Sequence, residues 1–178
     1  MKIDLSRSDW SLAAAIAFDR TERKQSHQDR IQTRRTGLLH AATIGALGEI
    51  KFGQLTGLKV DTAVYAKKDK YDFLAGDCRV AVKTREWAGK DLELHLFPDE
   101  PKKADVFVLF RIGDQCDWIQ LVGHVDSDLI LEHHKPQFHE HLYGRKICVP
   151  AFVFNRPQAT LDFIRQEVAK KPRTKLPF

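Results

Sequence analysis

The sequence predicts a single α/β domain that opens with helices. Three observations point to it. Apolar residues recur at helical spacing through much of the first 56 positions, and six short β-type runs follow between residues 59 and 125. The chain then closes on one more strand-like run and one helical one. At 178 residues it is long enough to bury a sizeable core within one domain.

Each element has its own signal. Ser8 is placed to cap a first helix whose apolar face is Trp10, Leu12, Ala13, Ile16 and Ala17. The pattern fades over Arg20–Arg35, which is polar, basic and without a clear period. A second helix is expected from about Gly37 to Gly57, where Thr56-Gly57 supplies the stop. Strands are expected at Lys59–Tyr65, Asp72–Ala75, Cys78–Thr84, Leu92–Phe97, Val106–Ile112 and Trp118–Val125. Residues 126–146 are polar and rich in histidine, and no element is assigned to them. Ile147–Phe154 reads as a last strand and Thr160–Lys170 as a last helix. The organisation expected is a basic helical extension over 1–36, an α/β core over 37–170 and a basic tail over 171–178.

Charge is distributed unevenly. The net charge is +5. Residues 1–36 carry eight Lys/Arg against five Asp/Glu, residues 165–178 carry five against one, and the middle is left at 5 − 3 − 4 = −2. Basic flanks around a slightly acidic centre suit a protein that holds a polyanion by its edges and a cation in its middle. Cys78, Cys116 and Cys148 are odd in number and far apart, with no CxxC pair. They read as reduced thiols of the cytoplasm, at least two of them in strands. No apolar run reaches the ~18 residues that cross a bilayer, and MKIDLSRSDW lacks the apolar core of a secretory signal.

The chemistry concentrates in three places. Glu49 lies beside the apolar arc of Leu39, Ala42, Ala46, Leu47 and Ile50, with Gly45, Ala46 and Gly53 around it. These small neighbours let another backbone approach, so that the carboxylate can reach over a sheet edge. Asp72 precedes a turn at Gly76-Asp77. In the strand after that turn Val80 and Val82 face the core, while Arg79, Ala81 and Lys83 share the other side. Asp72 and Lys83 are expected to meet there on a polar surface. Carboxylates on such a surface hold a hard cation, and a lysine orients water or neutralises developing charge, which is what phosphodiester hydrolysis requires.

Taken together, Gly45-Ala-Leu-Gly-Glu49, Tyr71-Asp72 and Val80-Ala-Val-Lys83 resemble the PD-(D/E)xK nuclease superfamily over roughly residues 37–125. The resemblance implies a restriction-endonuclease-like fold, a central mixed sheet flanked by helices. It implies Glu49 and Asp72 as ligands of Mg²⁺, with Mn²⁺ as a substitute, and Lys83 as the catalytic lysine. The substrate implied is DNA, the setting a prokaryotic or phage-infected cytoplasm, and the working form a homodimer, since cutting two strands with one small site per chain calls for two chains.

Ala81 departs from the pattern, because it occupies the slot of the acidic ligand. It reads as an introduced inactivating substitution, as the mark of a scaffold that lost catalysis and kept nucleic-acid binding, or as a vacancy filled by Glu86 or Asp77. The intact Glu49, Asp72 and Lys83 favour the first. Arg30, Arg34, Arg35, Arg79 and Arg85 are candidate phosphate contacts, and Trp87 a candidate stacking residue. His124, His133, His134, His139 and His141 match no zinc spacing, and the segment 124–141 reads as solvated or as a groove-contacting loop.

Overall fold

A computed structural model describes residues 2–25, 32–60, 71–86, 92–139 and 144–170. The chain runs β1 (Lys2–Asp4), α1 (Arg7–Gln25), α2 (Gln32–Thr56), β2 (Phe73–Ala75), β3 (Cys78–Glu86), β4 (Glu93–Leu96), β5 (Val106–Ile112), β6 (Trp118–Asp126), α3 (Ser127–His133), β7 (Gln137–His139), β8 (Gly144–Pro150) and α4 (Pro157–Ala169). It is an α/β protein with a mixed sheet flanked by helices. Five strands form the main sheet in the order β1-β6-β5-β3-β2, and three form a smaller one in the order β4-β8-β7. Only β3 and β5 run parallel; every other neighbouring pair is antiparallel. A parallel pair needs a crossover, and the chain between β3 and β5 contributes β4 to the second sheet on its way.

Several elements differ from the sequence expectation. The first helix is capped by Ser6, not Ser8. The Ser6 hydroxyl accepts from the Asp9 amide at 3.2 Å while Asp9 accepts from the Ser6 amide at 2.8 Å. This reciprocal capping box satisfies two end groups at once. The helix does not fade at Arg20 but continues to Gln25, and the second helix already begins at Gln32. Long polar side chains keep high helix propensity, so loss of an apolar period did not mean loss of helix. Lys59 and Val60 are not in a strand, and 61–65 lie outside the described residues. The untyped histidine-rich stretch contains α3, β7 and the start of β8. The last expected strand stops at Pro150 and gives way to a 3-10 turn over Ala151–Val153. β1 was not anticipated, because three residues carry no readable period.

Two apolar layers cover the two faces of β3. Val80 and Val82 pack with Leu47, Ile50, Phe52, Val108 and Phe110 under α1, α2 and α4. Ala81 packs on the opposite face with Leu94, Leu96, Phe107, Leu109, Ile147 and Val149. The polar surface expected at Ala81 is therefore an interior: the small sheet covers it, leaving Ala81 5% exposed. A central strand beside a parallel neighbour is commonly buried on both faces. Helix α2 packs on the sheet at Gly48, where an added Cβ would lie 2.0 Å from the Thr84 hydroxyl. Gly45, expected to permit this approach, faces open space, and Gly53 instead admits the carbonyl of Leu58.

Helices α1 and α2 are joined by buried charge. Lys51 Nζ donates to Asp9 Oδ2 at 2.8 Å, with both side chains almost wholly enclosed. Burial opposes ionisation of Asp9, but hydrogen bonds from Lys51, Ser6 and Gln54 outweigh it and hold the carboxyl far below its ordinary range.

Candidate active site

Among the described residues, Asp72 lies where the pairing of β2 with β3 ends. β2 is three residues long and β3 nine, so the outer edge of β3 extends past its partner. The Val82 amide on that edge donates to Asp72 Oδ2 at 2.7 Å, and the Asp72 amide donates to the Val80 carbonyl at 2.9 Å. Glu49 approaches from α2 and is 8% exposed. Burial, and next to it the negative charge of Glu49, push the Asp72 carboxyl up to about 6, against the pull of the Val82 amide, Lys83 and Arg20. The two acids and the lysine singled out in the sequence thus fall within electrostatic reach of one another.

Two charged residues enter this site in roles that the sequence did not indicate. Arg20 of α1 clamps Glu49 with both guanidinium arms, Nη1 to Oε1 at 2.8 Å and Nη2 to Oε2 at 2.7 Å. Fork-to-fork pairing of this kind is the strongest ordinary charge-assisted bond. On the other side Lys83 Nζ donates to Glu100 Oε1 at 2.7 Å, and Glu100 Oε2 accepts from the Phe97 amide at 2.6 Å. Glu100 opens a 3-10 turn between β4 and β5, with Pro101 fixing its second position. It brings a carboxylate to the face of β3 that carries Ala81 and Lys83. Neither residue had a local signal: Arg20 is 29 positions from its partner and Glu100 is 17 from its own.

The two acids considered as substitutes at position 81 fall elsewhere. Glu86 is an even-numbered residue of β3, on the face of Val82 and Thr84, and it pairs with His40 of α2. Asp77 lies in the turn between β2 and β3 and is exposed. Arg79 is engaged with Asp105, its Nε donating to Oδ2 at 3.0 Å. Arg85 is half-buried, with Nη2 donating to the His95 carbonyl at 3.4 Å. Arg30 and Trp87 lie outside the described residues, as do the side chains of Arg34 and Arg35, which belong to α2.

Among the described side chains, the late histidines do not form one cluster. His124 is buried, stacked on Phe163 at 4.9 Å, with Nδ1 2.9 Å from the Thr160 hydroxyl and Nε2 3.1 Å from Asn155 Nδ2. An amide nitrogen can only donate, so Nε2 accepts and the ring proton is assigned to Nδ1. Burial lowers the pKa of this ring. His133 is exposed beside Glu132; His141 lies outside the described residues, as does the side chain of His139, a residue of β7. No helix among the described residues is long and apolar enough to cross a membrane. No protein-family model and no curated protein matches the chain.

Proposed function

We propose that the chain is a nuclease-type domain of restriction-endonuclease-like architecture, which binds DNA and carries a phosphodiester-cleaving site around Glu49, Asp72 and Lys83. One observation carries this reading: two carboxylates from different elements converge beside a lysine, and burial, with the charge of Glu49 next to it, raises Asp72 to about 6. A divalent cation relieves the repulsion between the two acids, and Mg²⁺ asks for only one or two protein carboxylates besides water and phosphate oxygens. Asp72 and Glu49 would hold Mg²⁺ or Mn²⁺, which supplies Lewis acidity and a more acidic bound water. Lys83, once released from Glu100, neutralises charge that builds on the phosphate. The basic flanks would contribute phosphate contacts, and two copies would address the two strands.

A second reading has its own support. Arg20 already supplies positive charge to both oxygens of Glu49, and Ala81 is enclosed by apolar side chains. A scaffold in this state binds DNA without cutting it, or serves as an interaction domain for an acidic partner.

The test is a cleavage assay with Mg²⁺ and Mn²⁺ on duplex, branched and single-stranded DNA. It compares the chain as it stands with Ala81→Glu and with the shorter Ala81→Asp. We expect little cutting by the unaltered chain, Mg²⁺-dependent cutting by one of the acidic variants, and its loss when Lys83→Ala is added. Acidic variants that fold and bind metal yet leave every DNA intact would sink the nuclease reading. Retained DNA binding whose affinity falls steeply with salt would then mark the binding module.

A further inference from the structure

A second cluster of metal-ligating side chains lies on the small sheet. β4 and β8 pair antiparallel with His95 directly opposite Cys148, and Glu93 two residues before His95. Directly opposite residues share a face, as do residues two apart. Leu94 and Leu96 of β4, with Ile147 and Val149 of β8, fill the core face. Glu93, His95 and Cys148 therefore stand together on the other one. Each offers a ligand atom, and these atoms all lie within 4.8 Å of one another. All three residues are half-buried.

We infer that Glu93, His95 and Cys148 form a binding site for a borderline divalent transition metal, Zn²⁺ foremost. The donor types make the choice. A thiolate and an imidazole are poor ligands for Mg²⁺ and Ca²⁺, whereas Zn²⁺ accepts sulfur, nitrogen and carboxylate oxygen together. Metal–ligand bonds of roughly 2.0–2.3 Å set donors roughly 3–4 Å apart around one ion, and Glu93 Oε2 and His95 Nε2 already stand at 3.3 Å. The remaining closure asks only for side-chain rotation, because paired strands fix the backbones. Three protein ligands leave the fourth tetrahedral position to water or a substrate atom. The ligand spacing escapes any sequence motif: Glu93-x-His95 is too short to signify, and Cys148 arrives through strand pairing. The site shares no residue with Glu49, Asp72 or Lys83, so it stands or falls independently of the nuclease reading.

The experiment is a titration of the metal-stripped full chain with Co²⁺, followed by Zn²⁺. We expect one equivalent of Co²⁺ with a thiolate-to-metal charge-transfer absorption, displaced by Zn²⁺ and unaffected by excess Mg²⁺. Cys148→Ser should remove the band. His95→Gln should weaken binding by at least about tenfold, the loss that accompanies even an outer-shell change. A folded chain without the band, or a band that survives Cys148→Ser, overturns the proposal. Alkylation mapped by mass spectrometry on the unaltered chain reads the same point without a variant. Zn²⁺ should shield Cys148 from iodoacetamide, and equal labelling with and without Zn²⁺ overturns the assignment.

Discussion

Burial and a second acid nearby raise the Asp72 carboxyl, while the Val82 amide that donates to it pulls its proton the other way. The net effect is a carboxyl raised from 3.8 to about 6. An acid whose folded-state pKa is raised favours folding fully below its unfolded value, and loses that contribution as pH rises through the folded one. Between about pH 4 and 6 the chain therefore forfeits stability at this residue, on the order of 2 kcal/mol. Asp72→Asn keeps an oxygen for the Val82 amide and removes the charge. In a chelator, denaturant titration should show this variant more stable than the parent at pH 8 by about that amount, and equal to it near pH 4. Equal midpoints at both values would mean that the carboxyl is not strained by its surroundings. Asp72, Lys83 and Glu49 were legible in the sequence because each sits in a short pattern with a chemical reason. The pairings of Arg20 with Glu49 and of Glu100 with Lys83 were not, since only folding carries α1 to Glu49 and a 3-10 turn to Lys83.

At the scale of elements, the placement of Glu49 depends on how closely α2 rides on β3. Gly48 sets that distance. A methyl group there would meet the Thr84 hydroxyl at 2.0 Å and the Thr84 Cβ at 3.3 Å. Alanine is intrinsically better than glycine in a helix by about 1 kcal/mol, while overpacking costs about 1–3 kcal/mol. Gly48→Ala should therefore destabilise on balance, by about 1 kcal/mol, despite its better helix propensity. Adding Thr84→Ala frees the space, and the double variant should recover at least the parental thermal midpoint. If Gly48→Ala alone is stabilising, the helix has room that the geometry denies it. The sequence pointed to small residues around Glu49 but missed Gly48, the one that meets the strand. Periodicity ranks residues by their distance from an apolar arc, and it cannot say which of several glycines meets a strand side chain.

Across the whole molecule, the strands with clean β-branched or aromatic runs were readable, β5 to the residue and β3, β4 and β6 to within two. The second sheet was not, because β4 pairs with residues of β8 more than fifty positions away and β7 has only three residues. That sheet changes the meaning of Ala81, which alternation alone placed on a polar side. It also places Cys148 opposite His95. The carboxy-terminal helix is tied down by an equally non-local device. The Asn155 carbonyl lies where a side chain on Gly123 would be, 1.7 Å from an added Cβ. The Asn155 amide donates to the His124 carbonyl at 2.8 Å.

β1 completes the main sheet from its far edge. Lys2, Ile3 and Asp4 pair with Gln120, Ile119 and Trp118, so this edge cannot close until the chain has come almost full circle. Contacts this distant in sequence raise the entropic barrier to folding, and a three-residue strand offers little return until everything beneath it is in place. The seam between β1 and β6 should therefore be among the last to form and the first to part. Ile3→Ala should speed unfolding while leaving the refolding limb of the chevron nearly unmoved, the pattern of a residue outside the nucleus. A matching slowdown of refolding would put this seam in the transition state instead. On the expected order, Arg20 and Glu49 meet on helices that are already docked while the edge of the sheet behind them is still open.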